Sequence, residues 1–229
     1  MRFRVDVESS VACMEWRDVH GPARSVVYDL IRGQDAHLAA ELHDSGWRGS
    51  VLRPVGVAPP VFPTAARRKG AYATTGPGMV RLGSPVPKIA ACLLAGLAGR
   101  GELRWGGVSL PVRGVQLEPT PDHSAGSAVF ETVSPVVVKH EDRFLVPDDA
   151  HFVQRLTHNL RHKADLLDLP NEVEVTVLKS GRRRRFDTAK GFRIGAPITA
   201  RVSAAPALLD ALYEWGIGLA TIQGFGWVK

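Results

Sequence analysis

The chain has 229 residues, 45% of them apolar, a formal net charge of +6 and two cysteines. That length gives one large domain or two small ones, and the apolar share is that of a protein with a real core. Cys13 and Cys92 stand alone without CxxC spacing, which argues against a disulfide framework or a thiolate zinc site. The positive charge favours a polyanionic partner without identifying it. The opening MRFRVDVE alternates like a strand and has no apolar signal-peptide core. The longest nearly apolar run, IAACLLAGLAG, falls short of the about 20 residues that cross a bilayer. A soluble, cytoplasmic protein with no membrane partner is expected.

Along the chain, RFRVDV at residues 2–7 reads as a strand. Residues 24–32 form a short helix with Val26, Val27, Leu30 and Ile31 inward, broken near Gly33. A second helix follows over residues 35–42. Its stretch AHLAAELHDSG carries two histidines six residues apart, and six residues turn a helix by about 600°. His37 and His43 therefore lie roughly 120° apart and cannot share one metal as an i, i+4 pair does. Leu38, Ala39 and Leu42 set the apolar face, so His43 stands at its margin just before Gly46 as the stop, and His37 points away. Strands are expected at 50–57, 70–75 and 78–82, a proline-entered helix at 87–98, and a strand at 108–117.

The segment EPTPDHSAGS, with two prolines and no large apolar residue, reads as a linker. After it the pattern partly repeats: strands at 128–132 and 136–139, a long helix at 148–167, strands at 173–178, around 184–192 and at 196–202, a helix at 205–215 and a strand at 225–229. Each half approximates βαββαβ. The expected fold class is α+β, with two tandem ferredoxin-like (RRM-like) domains: residues 1–118, a linker at 119–127, and residues 128–229.

The tail GIGLATIQGFGWVK is dense in glycine. A dinucleotide fingerprint would need a third glycine where Thr221 stands and a strand before the loop, and no GK[ST] of a P-loop occurs. Two readings remain open: a simple helix-to-strand turn, or a loop whose bare amides approach phosphates because glycine lacks a Cβ.

The tail pattern of Gly–apolar–Gly, five residues, Gly–apolar–Gly resembles the glycine-rich loop of the RAMP superfamily of CRISPR-associated RNA-binding proteins. Within it the chain is similar to the CRISPR-associated endoribonucleases that process precursor crRNA repeats. MRFRV, YDLIRGQDAHLAAELHDSG, TVSPVVVKHEDRFLVPDDAHFVQRLTHNLRHK and the tail stand in that family's order, touching both halves. The resemblance implies two ferredoxin-like domains facing each other across an RNA-binding cleft. It also implies metal-independent cleavage without a cofactor, in which the ribose 2′-hydroxyl attacks the adjacent phosphate to leave a 2′,3′-cyclic phosphate and a 5′-hydroxyl. It maps the family histidine onto His43 and the family tyrosine onto Tyr28, fifteen residues before it and off the apolar stripe of its helix. The family's usual cationic position is Gly49 here, with Arg48 beside it as the substitute. His20, in VHGPAR, is a second histidine candidate, because some branches carry one just before the first helix.

These residue types suit the chemistry. Histidine can take or give a proton near neutral pH, and a positioned acid or base is worth about 10²–10⁴ in rate. A tyrosine can orient the ribose, an arginine can balance charge on the phosphorane, and splayed nucleotides gain from in-line alignment. For substrate grip, Arg182, Arg183, Arg184 and Arg185 are four adjacent cations, extended by Lys179, Lys190, Arg193 and Arg201. Lys139, Arg161, Lys163 and the tail glycines Gly216, Gly218, Gly224 and Gly226 complete the expected RNA-binding set. Phe130, Phe144 and Phe192 are the strand aromatics that could stack bases, with core roles the stronger reading. His158, His162 and Asp165 share one helix face with metal-ligand spacing, but the neighbouring Arg155, Arg161 and Lys163 favour a polar RNA-facing helix over a metal hydrolase. The expected partner is CRISPR repeat RNA, with a CRISPR effector complex and a homodimer as candidate assemblies. The alternative function is a non-catalytic RNA-binding RAMP subunit of such a complex.

Overall fold

The computed structural model describes residues 1–66, 69–188 and 191–229; the cation expected at Lys190 lies outside them. In the first half the elements are β1 (Arg2–Ser9), β2 (Cys13–Met14), α1 (Trp16–His20), α2 (Ala23–Arg32), α3 (Ala36–Asp44), β3 (Gly56–Val61), β4 (Tyr72–Ala73), β5 (Gly76–Gly83), α4 (Pro87–Leu97), β6 (Glu102–Trp105) and β7 (Val108–Glu118). The second half contains β8 (Ser127–Glu131), β9 (Val138–His140), β10 (Arg143–Leu145), α5 (Phe152–Leu166), β11 (Glu174–Ser180), β12 (Arg184–Thr188), β13 (Gly191–Gly195), β14 (Ile198–Ser203), α6 (Pro206–Trp215) and a 3₁₀ turn at Thr221–Gln223.

The first sheet runs β3-β5-β1-β7-β6, all antiparallel. Its first four members stand in the spatial order second, third, first, fourth of a βαββαβ unit, and β6 is a hairpin partner added at the edge. β1 is central, so its alternation buries Phe3, Val5 and Val7 against α2 and α4. The second sheet runs β11-β14-β8. The tail continues it beside β8 through the Thr132–Val228 bridge and reciprocal bonds between Glu131 and Lys229, which gives the same order. Phe152, Leu156 and Leu160 of α5 and Leu208, Leu209 and Leu212 of α6 fill its core.

The periodicity placed most elements within a few residues. The expected strand at 50–57 begins only at Gly56, because Pro54 and the Arg53 side chain occupy that segment in a loop. The single strand expected around 184–192 is the hairpin β12–β13, which pairs with itself and stands off the main sheet.

The halves meet closely along one seam. A Cβ on Gly56 would lie 2.4 Å from the Trp215 carbonyl, and one on Gly83 would lie 2.3 Å from that of Glu214. Arg2 is buried between the rings of Tyr213 and Trp227, at 4.1 and 4.2 Å, with its Nε donating to Glu118 at 2.7 Å. Thr221 donates to the Val55 carbonyl at 2.9 Å, and Ile222 sits in the first half's core. His20 of α1 is buried on the same seam, stacked 4.4 Å from Phe225 and edge-on 4.9 Å from Phe186.

Two predictions concern stability. Gly226 has φ +64, and its Cβ would lie 1.8 Å from the Ile217 carbonyl, whereas Gly49, at φ +76, has nothing within 4 Å. Gly49→Ala should cost about 1 kcal/mol from backbone strain alone, and Gly226→Ala at least about 3 kcal/mol, read from urea midpoints. Burial pushes the His20 imidazole down to about 4 from its ordinary 6.5, opposed only in part by the neighbouring backbone of Gln223 and Gly224. The unfolded chain therefore binds the extra proton first, and stability falls as pH drops from about 6.5 to about 4, by up to about 3 kcal/mol. His20→Phe, which keeps the stacking without the titration, should flatten that slope in urea melts between these pH values; an unchanged slope would assign it to other groups.

Candidate active site

Asp35 caps α3 by accepting from the Leu38 amide at 2.8 Å and pairs with Lys88 at 2.9 Å, which fixes where the helix starts. Leu42 is then buried, and His43, in the last turn, is exposed as the apolar margin predicted. The Tyr28 ring lies 5.3 Å from the His43 ring, edge-on at 62°. His43 Nδ1 stands 2.8 Å from Asp44 Oδ1. An ionised carboxylate only accepts, so in the neutral imidazole this bond puts the proton on Nδ1 and leaves Nε2 with its lone pair.

Tyr28 does not open into a cleft as its off-stripe position suggested. It is 4% exposed and belongs to the first half's core, because α3 and the following loop cover that side of α2. Only its hydroxyl reaches the site, donating to the Leu42 carbonyl at 3.1 Å and accepting from Arg53 Nε at 2.8 Å.

Arg53 is the residue that sequence reasoning missed. Its Nε also donates to the Leu42 carbonyl at 2.6 Å, and its two terminal nitrogens donate to the carbonyls of His43 and Val51, both at 2.8 Å. A guanidinium has five N–H groups, so among the described residues one is left on each terminal nitrogen, and Arg53 lines a cavity of about 290 Å³ with Lys139 and Arg193. Arg53 lies in a loop before Pro54, outside any motif; its position before a proline, which holds the chain extended, was the only signal.

Arg48 turns elsewhere. Its guanidinium pairs with Asp168 at 2.6 Å, beyond the end of α5 in the other half. The structure thus brings His43, Tyr28 and Arg53 together and gives Arg48 to an exposed bridge between the halves. His20 lies apart from this group, its Nδ1 buried without a well-formed hydrogen bond, at the wall of a cavity of about 710 Å³.

Among the expected RNA contacts, Arg182, Arg183, Arg184 and Arg185 are all exposed at the start of the β12–β13 hairpin. Lys139 pairs with Asp142 at 3.0 Å, and Arg161 is exposed with one bond to the Val173 carbonyl. Of the strand aromatics, Phe130 is buried and Phe192 is exposed under the Arg185 guanidinium, 4.3 Å away. Lys163 has to be removed from the surface set. It is 1% exposed, its Nζ donates to the Gly216 carbonyl at 2.7 Å, it lies 4.3 Å from the Trp215 ring, and burial holds its ammonium well below the usual lysine range.

The tail glycines also change role. Gly216, Gly218, Gly224 and Gly226 are buried, and the amides of Gly216, Gly224 and Gly226 already donate to the carbonyls of Leu212, Thr221 and Pro135. A Cβ on Gly218 would lie 2.6 Å from Val136 Cγ1. Close backbone packing thus accounts for the glycines at these positions, and Gly218 also lines the cavity that Arg53 lines. On α5, His162 Nε2 lies 3.2 Å from Ser50 Oγ, and Asp165 accepts from Asn171 at 2.7 Å.

Residues 118–229 match the family model described as CRISPR associated protein Cas6, C-terminal. No curated protein sequence matches the chain. Among solved structures, a Cas6-related gene product from Pyrococcus furiosus superposes with a TM-score of 0.80 at 16% identity, covering 100% of this chain and 97% of that one. A CRISPR associated protein Cas6 gives 0.78 at 22% identity, covering 100% and 98%. A Cas6 product complex gives 0.66 at 16% identity, covering 99% and 97%. Residues 118–229 thus match the Cas6 C-terminal family model, and the whole chain has the double ferredoxin-like fold of solved Cas6 proteins.

Proposed function

We propose that this protein is the endoribonuclease that cuts CRISPR repeat RNA during crRNA maturation, by metal-independent attack of a ribose 2′-hydroxyl on the adjacent phosphate. The products would be a 2′,3′-cyclic phosphate and a 5′-hydroxyl. The observation that carries this reading is the exposed His43 at the end of α3, edge-on to Tyr28, with its own carbonyl held by Arg53. The Cas6 domain over residues 118–229 supports the substrate class.

In this reading His43 Nε2 handles a proton at the scissile phosphate, either from the 2′-hydroxyl or to the leaving 5′-oxygen. Arg53 turns its two uncommitted N–H groups toward the phosphate, where charge builds in the transition state. Tyr28 is a positioning residue: its hydroxyl and the Leu42 carbonyl share Arg53 Nε, and so set the guanidinium plane. The cavity between the halves, with Arg53, Lys139 and Arg193 on its wall, carries the phosphate chain past the site. Residues 1–118 then supply the chemistry, and residues 128–229 the tail loop and the exposed arginines.

The test is single-turnover cleavage of a labelled repeat hairpin from the same genome, in EDTA. Wild type should give cyclic phosphate ends, and His43→Ala should cut about 10²–10⁴-fold more slowly with binding retained. Arg53→Ala should lose rate, while Arg48→Ala, which removes only an exposed bridge, should stay within about threefold of wild type. Wild type that binds the hairpin and never cuts it would replace this reading with the non-catalytic RNA-binding subunit. Cutting that survives His43→Ala would move the chemistry to His20.

A further inference from the structure

Five tryptophans occur in the chain, and one of them is out of place for a structural residue. Trp105, Trp215 and Trp227 are at most 1% exposed and Trp47 packs on the core, but Trp16 is 51% exposed. It opens α1, and its ring is held edge-on against Tyr72 at 5.4 Å and 74°. Tyr72 is itself fixed by a bond from its hydroxyl to the Pro60 carbonyl at 2.6 Å. The indole is thus anchored by an edge rather than covered by a face.

Single exposed apolar side chains are common and mean little alone. Trp16 differs in its surroundings. It lines a cavity of about 410 Å³ whose other walls include Arg17 from its own helix and Arg184 and Arg185 from β12 in the other half. These arginines are exposed; the carboxylates that meet Arg17 and Arg185, Glu15 and Asp187, are themselves 67% and 72% exposed, so both pairs can exchange partners readily. A flat π-face beside several mobile guanidinium groups complements one chemistry closely, that of an unpaired base attached to phosphates. The location fits as well. The cavity adjoins the 710 Å³ cavity through Arg17 and Asp187, and that one adjoins the Arg53 cavity through Arg193 and Gln223. One basic track therefore leads from the candidate active site around the seam to Trp16.

We infer that Trp16 is a stacking platform for an unpaired nucleotide of the bound RNA, with Arg184 and Arg185 taking its flanking phosphates. This rests on the RNA-cleaving reading and adds a subsite that reads single-strandedness rather than the hairpin. The RNA stem is held elsewhere, and its single-stranded flank runs along the track to the indole.

The test uses the full chain and two RNA probes, the repeat RNA with its single-stranded flanks and the bare repeat stem-loop. Trp16→Ala should weaken binding of the flanked RNA by about 5- to 100-fold, the usual span for one base–aromatic stack, and leave the stem-loop affinity unchanged. Trp16→Phe, which keeps a ring, should retain most of the affinity. The flanked RNA should also quench the tryptophan emission of wild type but much less that of Trp16→Phe, since Trp105, Trp215 and Trp227 are buried and Trp47 lines none of the three cavities of the track. Saturating RNA should restore the single-turnover rate of Trp16→Ala. Equal affinity of wild type and Trp16→Ala for the flanked RNA, with quenching that persists in Trp16→Phe, would overturn the platform and leave the nuclease reading standing. Equal weakening on both probes would overturn it in favour of a general contribution to the fold. Wild type that binds neither probe would overturn the RNA reading itself.

Discussion

The two halves touch backbone to backbone where α6 ends, and the candidate site depends on that contact. Trp215 and Glu214 present their carbonyls to Gly56 and Gly83 at distances that no side chain could allow. The tail then crosses over, hands Thr221 to the Val55 carbonyl and places Ile222 in the first half's core. Fixing Val55 and Gly56 fixes the stretch before them, and Arg53 lies two residues upstream. Arg53 in turn grips the carbonyls of Leu42 and His43. A packing contact in the second half is thereby transmitted, through three residues of loop, to the last turn of α3. Small residues at the seam are part of how His43 is aimed.

The ferredoxin-like order of each half was legible because periods of 2 and 3.6 are written directly into residues such as Phe3, Val5 and Val7 or Phe152, Leu156 and Leu160. The position of His43 at a helix margin was legible for the same reason. Tyr28 shows where that logic stops. A helical wheel gives one direction per residue, but α2 is covered by α4 on one side and by α3 on the other, so a residue off the first stripe is still buried. Arg53 was illegible because its function is to hold carbonyls, and carbonyls leave no trace in a sequence. The tail glycines were noticed for a sound reason, and the fold uses their missing Cβ atoms for close backbone packing. A missing Cβ permits a phosphate or a neighbouring strand to approach equally well, and in the fold Gly226 lies against Ile217, Gly216 against Gly226, and Gly218 against Val136 and Val137.

Charge was the least informative signal taken residue by residue. Lys163 and Arg184 both contribute to the +6 balance, yet one is sealed beside Trp215 and the other stands in solvent. A buried ammonium without a carboxylate carries a large desolvation cost, and Lys163 meets it with a carbonyl and an aromatic face. Its position is that of a strut under the glycine tail. The exposed arginines on the β12–β13 hairpin carry no such cost and keep their full reach toward a polyanion. The hairpin pairs with itself outside the main sheet, and its arginines repel one another in solvent, where water and salt screen them.

The site that results is rigid beneath and open above. The backbone around His43 is held by two bonds from one guanidinium, to the Leu42 and His43 carbonyls, and by the Tyr28 hydroxyl, while the imidazole itself is 55% exposed and bonded to an exposed Asp44. A ring restrained in this way is located to within a rotamer but not to within the hydrogen-bond geometry that general acid–base catalysis needs. The missing restraint must come from the substrate. An RNA gripped by surfaces that belong to both halves would press its scissile phosphate against that ring in the saturated complex. Losing one grip would then cost affinity first, and the rate of cutting would return once the RNA is supplied in excess.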